Sequence, residues 1–264
     1  MSYPLDGCWA KIERANENIK NLEAEISALF HPDPYIIAGN VNHQTKECIF
    51  VAKAKPIPLR FSVLAGEIIQ HLRSSLDHLI WALVLQRHAH PDFKVQFPIC
   101  VREEEFIAAK KSGIIKGISG TAQAIIERLQ PYRNANWRST VFDDPLRIIH
   151  DLNITDKHKL LAVVVSAVYM TNTIHFSGKM SNTVIAQIVP EQWADLLSRA
   201  EPDGTKILTV RFTKMDPELR VNAYFRREIA FEQFGTREIE PVIPSLNLLH
   251  DATIKAIKLF EGEF

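Results

Sequence analysis

Between residues 12 and 29 the apolar positions Ile12, Ile19, Leu22, Ile26 and Leu29 recur at helical spacing among charged neighbours. The pattern predicts an amphipathic helix over 8–30, with Asp6 as its cap and HPDP as its stop. The signal then changes to β-rich segments at 35–42 and 47–54, which flank NHQT and predict a hairpin. Pro56 and Pro58 introduce a long helix over 58–88, so the chain opens as an α-β-β-α unit. Successive residues of that helix turn by about 100°. On this basis Ile68, Leu72, Leu76, Leu79, Ile80 and Leu83 form one broad apolar face. Glu67, His71, Ser74, Ser75 and His78 are expected on the other side, with Trp81 beside them. A solvated face more usually carries Lys, Glu and Arg, so this polar stripe predicts a cleft or a subunit interface that removes at least one histidine from solvent.

Weaker patterns predict short helices over 103–111 and 119–129, then an irregular loop, QPYRNANWRSTVFDD. Asp144 followed by Pro145 is a cap and first-turn pair, opening a helix expected to end near Asn153. Four β-rich stretches follow, AVVVSAVYMTNTIHF, TVIAQIV, TKILTVRFTKM and RVNAYFRREIAFEQF, without long helices between them. They predict an antiparallel meander rather than βαβ units. A last helix is expected over 245–261. The fold class is therefore α+β: a helical layer packed on a mainly antiparallel sheet. The expected organisation is one compact domain over 1–264, with a finer division into helix-rich 1–155 and sheet-rich 156–264 plus the closing helix.

Composition narrows the chemistry. Lys plus Arg and Asp plus Glu are both 31, so a charged partner must be met by a local patch rather than by net charge. Three well-separated cysteines with no CxxC spacing suggest neither a disulfide framework nor a thiolate zinc site. The start of the chain lacks the pattern of a signal peptide, and the longest apolar run, LLAVVVSAVYM, is short for a membrane span. A soluble cytoplasmic protein without a membrane partner is the expectation.

GEIIQHLRSSLDHLIWAL at 66–83, FPI at 97–99, LQPY at 129–132 and LNITDKHKLL at 152–161 together resemble a family of uncharacterised bacterial proteins. The resemblance implies a shared architecture and no particular activity. Within it, Arg73-Ser-Ser-Leu-Asp-His78 is similar to the R-x4-6-H motif of HEPN-domain ribonucleases. That second resemblance implies a metal-independent RNase of homodimeric form. In it Arg73 would hold the phosphate, and His78 from the other protomer would act as acid-base group on the 2′-hydroxyl. Imidazole and guanidinium suit those tasks. Arg73 and Asp77, four apart at the edge of the apolar face, also predict an ion pair.

Two further groupings carry candidate chemistry. QPYRNANWRS interleaves Tyr132 and Trp137 with Arg133 and Arg138, a composition that can stack bases and hold phosphates. His150, Asp151, Asp156 and His158 are residue types that ligate zinc or another divalent ion. Dinucleotide-binding, P-loop and GxSxG signatures are all missing from the sequence. The leading expectation is a nucleotide- or RNA-binding protein without a cofactor. Its site would comprise His78, Arg73, Glu67, His71, Ser74, Tyr132, Arg133 and Trp137. The alternatives are a metal-dependent hydrolase of a small molecule, built on the His150 group, and a non-catalytic interaction protein.

Overall fold

The computed structural model describes every residue except 1–3, 32–35, 54–56, 88–89, 92–93, 135–140 and 191–204. Its helices are α1 (Asp6–Leu29), α2 (Leu59–Gln86), α3 (Glu103–Ser112), α4 (Gly120–Arg128), α5 (Pro131–Asn134), α6 (Pro145–His158) and α7 (Val242–Lys258). Its strands are β1 (Ile36–Asn42), β2 (Glu47–Lys53), β3 (Val163–Ser177), β4 (Val184–Pro190), β5 (Thr205–Lys214), β6 (Arg220–Phe234) and β7 (Arg237–Pro241). The class is α+β with antiparallel sheets. Among the described residues no helix is long and apolar enough to cross a membrane.

The chain forms two compact units, each assembled from separated stretches. Unit 1 takes Met1–Ala24, Leu59–Ala162 and Gln233–Phe264, and unit 2 takes Glu25–Pro58 and Val163–Glu232. A boundary near 155 therefore does not describe the packing. The hairpin joins the strands that follow it much later, and the last helix joins the helices.

In unit 1, α2 is the organising element. Ile68, Leu72, Leu76, Leu79, Ile80 and Leu83 are all buried, and α6 and α7 pack against α2 and against each other. Ser75 is buried rather than on the polar side, and its hydroxyl donates to the Leu72 carbonyl at 2.7 Å. Its register explains this, because 68, 72, 75 and 79 follow one another at spacings of four, three and four and form one stripe. The Asp144 carboxylate caps α6 by accepting the Leu146 N–H at 2.9 Å and the Arg147 N–H at 3.4 Å. The helix continues through His158 instead of stopping near Asn153. Asn153 is buried, no residue of NITDKH breaks a helix, and Lys157 and His158 suit its negative end. Helix α7 begins at Val242, with Pro244 in the first turn, where a missing N–H costs least.

In unit 2 the strands do not form a meander. One antiparallel sheet has the order β1-β2-β5-β4, and β3 pairs with β6. The hairpin β1–β2 turns through an Asx arrangement, with the Asn42 side chain accepting the Gln44 and Thr45 N–H groups and Lys46 left-handed at φ 55°. Cys48 opposite Val210 and Phe50 opposite Leu208 are buried, the inward half of a period-two alternation. Phe176 of β3 meets Phe212 of β5 edge to face, with ring centroids 6.2 Å apart. The buried Asp216 carboxylate accepts the Asn182 N–H and the Thr183 hydroxyl, tying the start of β4 to the β5–β6 connection.

Candidate functional site

The polar stripe of α2 is met by α1. Asn18 donates to the Glu67 carboxylate at 3.4 Å, Lys11 and Arg14 act electrostatically on His71, and Gly7 lies against the His78 ring. The numbers of the partners Gly7 and His78, Arg14 and His71, and Asn18 and Glu67 each add to 85, the mark of two antiparallel helices. Both seams have the same spacing of four, three and four: Gly7, Lys11, Arg14, Asn18 on α1, and Glu67, His71, Ser74, His78 on α2. Side chains at that spacing share one helix face, so the two stripes meet along one seam, the groove between α1 and α2.

At one end of the groove lies a cavity of about 470 Å³, lined by Asp6, Gly7, His78, Trp81, Leu85 and Gln86 among others. No Lys or Arg lines it among the described residues. Trp81 is 45 % and Leu85 51 % exposed, large apolar surfaces left open beside hydrogen-bonding groups. A Cβ on residue 7 would stand 2.8 Å from His78 Nδ1, so glycine is what leaves the imidazole its room. Burial pushes the Cys8 thiol, also in the lining, up to about 12, which keeps it protonated and unreactive.

Midway along the groove His71 is half-buried. Its Nδ1 is sealed from solvent and makes no hydrogen bond to the described residues. Burial, and then the cations Lys11 and Arg14, lower its pKa, with Glu67 opposing them. Ser74 accepts a bond from Gln70 at 3.4 Å. At the far end stands the Glu67 carboxylate, and on the side of α2 that meets α6 there is a second one. Asp156 of α6 lies against Gly66, and burial followed by the charge of Glu67 raises its pKa.

Arg73 turns away from the groove. Its side chain is 8 % exposed, and Nη2 donates both to Asp77 Oδ1 at 3.0 Å and to the Phe97 carbonyl at 2.8 Å. Asp77 Oδ1 accepts the Phe97 N–H at 2.9 Å. The predicted ion pair is present, and it grips a backbone segment that Gln130 holds from the other side. The Gln130 side chain donates to the Pro98 carbonyl at 3.0 Å and accepts the Cys100 N–H at 2.9 Å. The segments LRSSLD, FPI and LQPY thus meet at one structural clamp. Arg73 and His78 face different surroundings, as five residues of helix, about 140° of rotation, require.

The other described candidates do not join the groove. Arg133 stacks over the Tyr132 ring at 5.1 Å and donates to Glu127 at 2.6 Å and Glu103 at 3.3 Å, so its charge is already met by carboxylates. Trp137 lies outside the described residues. His150, Asp151, Asp156 and His158 all sit on α6 and do not converge as metal ligands. Asp151 is bound by Arg147 at 2.6 Å, Asp156 faces Gly66, and His158 is exposed. Burial, and then the Arg73 charge, lower the His150 pKa.

No protein-family model matches the chain, and no curated protein or solved structure matches it. Lys11, Arg14, Asp6 and Gly7 are the groove residues that sequence reasoning missed. Their signal was the spacing shared by the two stripes, which becomes meaningful once α1 is known to run against α2.

Proposed function

We propose that the protein binds a nucleotide in the α1–α2 groove of unit 1, with the base at Trp81 and His78 and the phosphate at Lys11, Arg14 and His71. The observation that carries this reading is the order of chemistry along the groove. An exposed indole and an imidazole stand at a cavity with no Lys or Arg among its described lining residues, and cations follow about two helical turns, or 10 Å, away. A planar heterocycle can stack on Trp81 while Asp6 and Gln86 offer groups to its polar edge. Arg73 takes no part, since its guanidinium is committed to Asp77 and Phe97, and the reading does not extend to RNA cleavage by Arg73 and His78.

Titration with the four ribonucleoside monophosphates, followed by tryptophan fluorescence, tests the reading. Trp81→Ala should weaken binding by about tenfold or more, because stacking on a base contributes ~1–3 kcal/mol. Lys11→Ala combined with Arg14→Ala should weaken monophosphates but not the parent nucleosides. Wild-type affinity retained in both variants would place the ligand elsewhere.

A further inference from the structure

We infer that β4 is a docking edge for a second copy of this chain: two β4 strands pair antiparallel about a two-fold axis and join two four-stranded sheets into one. β4 ends the order β1-β2-β5-β4, and among the described residues it is bonded on one side only, to β5. A strand so placed presents unpaired N–H and C=O groups along its other side, and native edges are usually blunted by charge or proline. Val184–Val189 holds neither, and Pro190 comes only at the end. β1, the opposite edge, carries Gly39, Asn40 and Asn42, residue types poor in strands.

The side chains select the occupant. Val-Ile-Ala-Gln-Ile-Val, residues 184–189, reads almost the same from either end. Antiparallel pairing of two such strands about the Ala186–Gln187 peptide sets Ile185 opposite Ile188 of the partner subunit, twice over. A two-fold axis through a sheet keeps its faces, so opposed residues must share a face. In a regular strand, positions three apart face opposite ways. β4 is not regular: its pairing with β5 shifts around Ala186, so Ile185 stands opposite Phe212 and Ile188 opposite Val210. Phe212 and Val210 are two apart and both buried, which puts both isoleucines on the core face of the sheet. Yet Ile185 is 43 % and Ile188 42 % exposed, so the core face runs past β5 and stays open at its last strand. Gln187 is on the other face, where it accepts from Arg211 at 3.3 Å, and Arg211 also donates to Glu47 at 2.9 Å. A second β4 in this register satisfies the backbone edge and covers the isoleucines with one another, while the polar face stays in water.

Sedimentation equilibrium of the full chain tests this. Wild type should be a concentration-dependent dimer. Ile188→Lys changes an exposed position, so it should leave circular dichroism unaltered while weakening the dimer about tenfold or more, since it sets a charge beside the axis. An equimolar mixture of Ile185→Cys and Ile188→Cys chains should form a disulfide-linked dimer under mild oxidation. Neither variant alone should, because like positions stand about 10 Å apart along the pair. The native cysteines are buried and stay silent. A monomer at every concentration would overturn the proposal, and a lowered thermal midpoint in Ile188→Lys would then show that the chain's own residues cover this face. A dimer untouched by Ile188→Lys, or one whose mixed chains fail to crosslink, would overturn it as well by placing the contact elsewhere.

Discussion

Arg73 and Asp77 hold the two sides of one residue's backbone: Arg73 donates to the Phe97 carbonyl, and Asp77 accepts the Phe97 N–H. They are one turn apart on α2 and also paired with each other at 3.0 Å. Burial works against both charges, lowering the pKa of Arg73 and raising that of Asp77, while their mutual attraction works the other way. Such a pair specifies position more than it adds net stability, and losing one member is costly.

Asp77→Ala should therefore destabilise the protein by about 3 kcal/mol, since it leaves a buried guanidinium and the Phe97 N–H each short of a partner. Equilibrium unfolding in urea measures this. A change within experimental error would mean that the clamp does not hold the segment.

Stability should decline as pH falls below about 6.5, because His71 and His150 both have lowered pKa values in the folded chain. The sign follows from proton uptake: the unfolded histidines bind protons first, so acid favours unfolding down to the folded pKa. Asp77, Asp144 and Asp156 act oppositely at lower pH. Their raised pKa values let the folded state take protons first, which relieves a burial penalty as pH falls toward about 3.9. Thermal midpoints of wild type and His150→Gln between pH 7.5 and 5 should show a shallower decline in the variant. Parallel curves would remove His150 from the account.

A Cβ on residue 66 would overlap the Asp156 carboxylate, so a side chain there must displace that group. Gly66→Ala should cost roughly 1–3 kcal/mol through overpacking, despite alanine's better helix propensity. Adding Asp156→Ala should recover most of the loss, because the two sites share one contact. A double variant no more stable than Gly66→Ala would place the cost elsewhere.

Features that depend on local order could be read from the sequence. The buried stripe of α2, the hairpin around NHQT and the Asp144 cap all follow from spacing within a few residues. Strand pairing could not be read this way. Glu47 of β2 binds Arg211 of β5 at 2.9 Å, a partnership separated by 164 positions that no local pattern announces. The Arg73–Asp77 pair was visible at its spacing of four, whereas Phe97, the group it serves, was not. Polar clusters misled for the same reason. His150, Asp151, Asp156 and His158 are close in sequence, but one helix sends them in different directions.

The interleaving of the two units bears on how the protein can be made. The chain passes from one unit to the other after Ala24, Pro58, Ala162 and Glu232. During synthesis α2 emerges long before α7, the helix that covers part of it, so unit 1 waits with apolar surface open until nearly the whole chain is available. No single cut yields either unit intact. A fragment ending at residue 232 lacks α7, and with it the buried Leu246 and Leu249 that fill their side of the core. Limited proteolysis should therefore give loss of the whole fold rather than a stable half.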